Sequence, residues 1–91
     1  SMDFWTQINQ KPEVKAVIAK HYKSFRAICT EIIKEGIKEG VFKNLDSSSY
    51  SLFVIASIDG VSLQWLFDKE ACHYDKLVQK SCSWLIENLE P

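Results

Sequence analysis

The chain has little glycine or proline, with three Gly and two Pro among 91 residues. With 46% hydrophobic residues, that scarcity excludes a disordered chain and favours a helical solid. An excess of positive charge is also missing: eleven Lys and Arg stand against twelve Asp and Glu, a net charge of −1. Phosphate recognition needs clustered cations, so this chain by itself is not expected to bind nucleic acid. Cysteine is odd in number (Cys29, Cys72, Cys82) and lacks CxxC spacing. No disulfide framework is expected, and reduced thiols in a cytosol fit better. There is no signal peptide, internal repeat, Gly-rich phosphate loop, catalytic carboxylate pair or Ser/His/Asp set. Cys72-His73 with Cys82 falls short of four spaced zinc ligands, and sequence neighbours seldom face each other as nucleophile and base. The expectation is therefore no enzyme, no metal site and no cofactor.

The length suits one small domain with one core. Ser1-Met2 reads as an expression remnant. The abrupt start at Asp3-Phe4-Trp5 reads as a cut in something longer, with 3–91 as one domain. The stretch from Tyr50 to Phe67 organises the rest. It is too long for an ordinary strand and carries two apolar flanks at helical period. Leu52, Ile55, Ala56, Leu63 and Leu66 line one; Val54, Ile58, Val61 and Trp65 line the other; Phe53 and Phe67 partly bridge them. A helix apolar almost all round must be covered almost all round, and this chain has few elements to do it. A second copy, or more of a parent protein, is expected to supply the rest. Asp59, Gln64 and three serines interrupt the run, so no membrane span is expected.

In chain order, residues 3–10 read as a short helix with Phe4, Trp5 and Ile8 on one face. Pro12-Glu13 starts a long helix to about Glu39, with Val14, Val17, Ile18, Tyr22, Phe25, Ile28, Cys29 and Ile32 as one apolar stripe. Gly40 is the natural left-handed stop, with Val41 folding back on the last turn. Asp46 caps the central helix. After a loop at 68–73, a last helix runs from about Tyr74 to Leu89. The reading is all-α: an antiparallel bundle of three long helices plus a short N-terminal one.

The run IIKEGIKEGVFKNLDSSSYSLFVIASIDGVSLQWLFD resembles the C-terminal domain of TetR-type transcriptional regulators. The likeness rests on a long helix ending in two spaced glycines (Gly36, Gly40) and a short hydrophobic and acidic link. A helix with Asp59-Gly60 and a Leu-Gln-Trp-Leu end (Leu63 to Leu66) follows. It extends from Phe4-Trp5 to the last helix. The resemblance implies a cytoplasmic repressor that meets operator DNA through an N-terminal helix-turn-helix, which residues 1–91 do not contain. It implies too that the last two helices, here about 47–67 and 74–89, pair with their two-fold mates in a four-helix bundle. The partners so implied are a second copy of the chain and a small, mostly apolar effector. The competing reading is a standalone helical adaptor whose exposed apolar helix grips another protein.

His21 is either a satisfied core histidine or a polar anchor in an effector cavity lined also by Trp5, Tyr22, Phe25, Phe53 and Gln64. Asp59 either bonds a neighbouring helix beside the dimer seam or serves as counter-ion to a cationic effector. Gly60 lets two helices approach closely. Leu63, Trp65, Leu66, Trp84, Leu85 and Leu89 complete the seam candidates, since aromatic residues are enriched at interface centres.

Overall fold

A computed structural model describes the backbone of residues 4–91 and the side chains from Thr6 onward. The described residues form four helices: α1 (Phe4–Asn9), α2 (Pro12–Lys38), α3 (Ser47–Phe67) and α4 (Tyr74–Glu87). Proline sits in the first turn of α2, where its missing N–H costs nothing, and Glu13 complements the helix dipole.

The far end of α2 closes in a Schellman motif. Gly40 adopts φ +78°, its N–H bonds the Ile37 carbonyl at 3.1 Å, and Val41 N–H bonds the Gly36 carbonyl at 3.0 Å. Phe42 then folds across Gly36, so close that a Cβ there would lie 2.0 Å from the ring. Gly36 is therefore buried because an aromatic ring occupies the space of its absent side chain.

Asp46 caps α3 as the sequence predicts. Its carboxylate accepts from Ser49 N–H at 3.3 Å, Ser49 hydroxyl at 2.7 Å and Ser48 hydroxyl at 3.1 Å. These bonds hold the Asp46 carboxyl below its usual range. The folded state thus binds its proton less readily, and the cap's stabilisation exists above the unfolded carboxyl range and fades as pH falls through the folded value. Melting wild type and Asp46→Ala at pH 7 and pH 3 should show the variant less stable at pH 7, with the difference shrinking in acid.

The last helix ends earlier than its periodicity suggests. α4 stops at Glu87, and Leu89 lies beyond it, 5% exposed, its carbonyl accepting from Lys43 N–H at 2.7 Å. The residue after the C-cap thus meets the α2–α3 connector.

α2 and α4 each pack on α3 and not on each other. Serines seal both contacts. Ser51 is fully buried with its hydroxyl donating to the Arg26 carbonyl at 3.0 Å, and Ser81 is buried on α4. Small side chains there let the helices close up. Tyr50 hydroxyl donates to the Leu85 carbonyl at 2.5 Å, and Ser62 and Tyr74 hydroxyls share a bond of 2.8 Å. The result is a flat layer, 51 × 33 × 15 Å. Its thickness is close to one helix with side chains, about 10–12 Å.

A layer one helix thick has two faces and almost no interior. Among the described hydrophobic residues only Ile33 and Leu89 are buried. The stripe expected to make α2 a core helix is largely in solvent: Val17, Phe25, Ile28 and Ile32 are each more than half exposed. α2 meets α3 through the Arg26 carbonyl and the Tyr22 hydroxyl, and of its apolar residues Ile33 is buried while Ile18 and Cys29 are half-buried. By length and composition α3 is long and apolar enough to cross a membrane. Here it lies between two helices, with Asp59 at its middle bonded to Tyr22 of α2.

Candidate functional site

Two open grooves flank α3. The first lies between α2 and α3 and has a volume of about 380 Å³. α2 contributes Ile18, His21, Tyr22 and Phe25 at spacings of three and four, the period that aligns side chains on one helical face. α3 contributes Val54, Ile55, Ile58 and Asp59. Apart from His21, Tyr22 and Asp59 the walls are hydrocarbon, a composition suited to a small apolar ligand held by a few polar groups.

Tyr22 hydroxyl donates to Asp59 Oδ2. That bond, partial burial and the neighbouring negative charge together push the phenol above its ordinary value. A phenol raised on folding contributes stability that is complete below the unfolded tyrosine value, about 10, and is lost as pH rises through the folded value. In an absorbance titration of tyrosinate, Asp59→Asn should bring one tyrosine's midpoint down relative to wild type. An unchanged alkaline curve would show that Asp59 does not hold the phenol proton.

The second groove, about 430 Å³, lies between α3 and α4 and is lined by Tyr50, Phe53, Ser57, Ser81, Trp84, Leu85 and Asn88. Between and beyond the grooves, α3 presents Phe53, Ala56, Gly60, Leu63 and Phe67 at alternating steps of three and four. Phe53 is 55% exposed and Phe67 83%. A Cβ at Gly60 would meet nothing within 4 Å, so among the described residues no helix approaches closely at this glycine.

The structure separates the sequence candidates into groups. His21, Tyr22 and Phe25 meet in the first groove and Asp59 joins them. Phe53 lines the second groove instead, and Gln64 is exposed without lining either. The side chain of Trp5 lies outside the described residues. Of the seam candidates, half-buried Gly60 and exposed Leu63 lie on this stripe, and Trp84, 56% exposed, borders the second groove. Leu66 is exposed beside a shallow cleft with Tyr22 and Asp59. Trp65 turns inward against Tyr74 at 4.8 Å between ring centroids, with Lys69 Nζ 3.4 Å over its ring. Leu85 is half-buried and Leu89 buried. His21, read as a core histidine or a cavity anchor, is solvent-exposed at the groove wall.

Sequence reasoning left Ile18, Val54, Ile55 and Ile58 out of the groove, although the 100° period already set Val54 and Ile58 on one flank. The Tyr22–Asp59 pair joins residues 37 positions apart, and no local pattern announces it. Among the described residues no group of three or more His, Cys, Asp or Glu is placed to hold a metal ion. The three cysteines are free.

A family model described as BetI-type transcriptional repressor, C-terminal, matches residues 1–86 of this chain. No curated protein and no solved structure matches it.

Proposed function

This chain belongs to the family of BetI-type transcriptional repressor C-terminal domains, a TetR-type regulatory family, and on that footing we propose that it is the effector-sensing and dimerising part of a cytoplasmic repressor. The observation that carries the proposal is the surface left uncovered. The accessible area is 7031 Å². A compact monomer of 10.5 kDa would expose roughly 5,400 Å², leaving a surplus of roughly 1,600 Å². A standard interface covers about 800 Å² per partner. One dimer face therefore accounts for about half the surplus, and the groove face needs a different cover.

The α3 stripe is suited to the dimer. Steps of three and four along Phe53, Ala56, Gly60, Leu63 and Phe67 keep one line of side chains toward a partner helix. Glycine inside a helix costs about 1 kcal/mol relative to alanine, and nothing in the protomer requires it at position 60. Close approach of a partner helix does. Trp84 of α4, more than half exposed, widens the seam toward a four-helix bundle.

The opposite side holds the α2–α3 groove, which receives a small, mostly apolar effector. α3 forms a wall of the groove and the spine of the seam, so an effector that shifts α3 shifts the dimer. Coupling needs different effector affinity in two dimer arrangements, which set the spacing of operator-binding helix-turn-helix heads in the parent. Multi-angle light scattering of the 91-residue chain tests the premise. A symmetric dimer at micromolar concentration is expected. A folded monomer that requires an unrelated chain overturns the reading and favours a helical adaptor.

A further inference from the structure

The effector groove contains a negative charge with no cation on it. Asp59 is half-buried, and one of its oxygens accepts the Tyr22 hydroxyl. The ion pair found among the described residues is Lys34–Glu31 on the surface of α2, and no Lys, Arg or His lies within ion-pair distance of Asp59. Arg26 lines a small cleft with Leu52 and Ala56 that shares Tyr22, Ile55 and Asp59 with the groove, yet its guanidinium makes no ion pair with Asp59. A carboxylate beside a hydrocarbon wall is costly unless an opposite charge and further hydrogen bonds satisfy it.

We infer, on the footing of the effector-groove reading above, that the groove takes an apolar amine carrying at least one N–H, its ammonium on Asp59 and Tyr22 and its body against Ile18, Phe25, Val54 and Ile58. Three features select that class. Asp59 Oδ1 and a lone pair of the Tyr22 oxygen are acceptors, so they match N–H donors. The rings of Tyr22 and Phe25 line the same groove, and aromatic faces attract a cation. A carboxylate repels an anionic ligand, and a neutral alcohol leaves its charge uncompensated. A quaternary ammonium brings charge but no donor. The volume, about 380 Å³, suits a small ligand rather than a peptide.

Isothermal titration of the 91-residue chain with n-octylamine, n-octanol and octyltrimethylammonium tests the inference. The amine should bind at least about tenfold tighter than the alcohol, the usual scale of one charge-assisted hydrogen bond, with the quaternary ion between them. Asp59→Asn keeps the side chain's shape and an acceptor for Tyr22, and should bring amine and alcohol to equal affinity. Alcohol bound as tightly as amine by wild type overturns the inference, as does an amine advantage that survives Asp59→Asn. Quaternary binding at or above the amine overturns the N–H requirement. If all three bind equally and Phe25→Ala weakens them all, the effector groove stands and the amine preference falls. If none binds, both fall.

Discussion

Placing aspartate at both Ala56 and Leu63 should convert the dimer to monomer, raising its Kd at least about 100-fold, or roughly 2.7 kcal/mol. Both side chains are solvent-accessible in the protomer, each at the edge of a shallow cleft that also includes Tyr22 and Asp59. On a two-fold seam the same change sets four carboxylates into an apolar stripe, and like charges brought together at an interface cost several kcal/mol. Sedimentation equilibrium across a concentration series measures the shift. The melting temperature of wild type should also rise with concentration, because a chain with so few buried hydrophobic residues draws stability from its partner. A double variant that stays dimeric would remove the α3 stripe from the interface. If the variant does not fold, the concentration dependence of wild-type melting still decides whether association stabilises the chain.

The second large effect concerns the two helical glycines, for which opposite signs are expected. Gly36→Ala drives a methyl group to within 2.0 Å of the Phe42 ring, and the near edge of the ring, not only its tip, is involved. Overpacking of this kind costs about 1–3 kcal/mol. At about 4–8 °C per kcal/mol for a domain of this size, the melting temperature should fall by several degrees. Phe42→Ala in the same chain removes the obstacle, so the double variant should lose less than the two single losses added together. Gly60→Ala meets open space within the protomer and, measured in the seam-broken background, should stabilise by up to about 1 kcal/mol through helix propensity alone. In the dimeric background the same methyl group should weaken association. Loss of stability in the seam-broken chain would show that Gly60 serves the protomer after all.

These contrasts mark where sequence reading stops. Helix boundaries depend on local chemistry, and local chemistry is written in adjacent residues. Pro12 opens α2, Gly40 closes it in a left-handed turn and Asp46 caps α3, all as their positions imply. Leu89 escaped because its fate is set by Lys43, 46 positions earlier. The α2 stripe was legible as a stripe. Its burial was not, because burial needs another element to lie on it, and α3 lies beside it instead. Gly36 and Gly60 look alike in a helical sequence, yet one has a ring against it and the other has open space.

By itself the sequence determined four helical segments and a central helix greasy on opposite flanks, since propensity, caps and period act within a few residues. Only the tertiary structure decided what each flank meets. Val54 and Ile58 went to the groove beside Tyr22, while Phe53 and Leu63 were left exposed. A periodic pattern gives the direction of a side chain around its own axis. Which neighbour waits in that direction depends on the summed packing of distant segments.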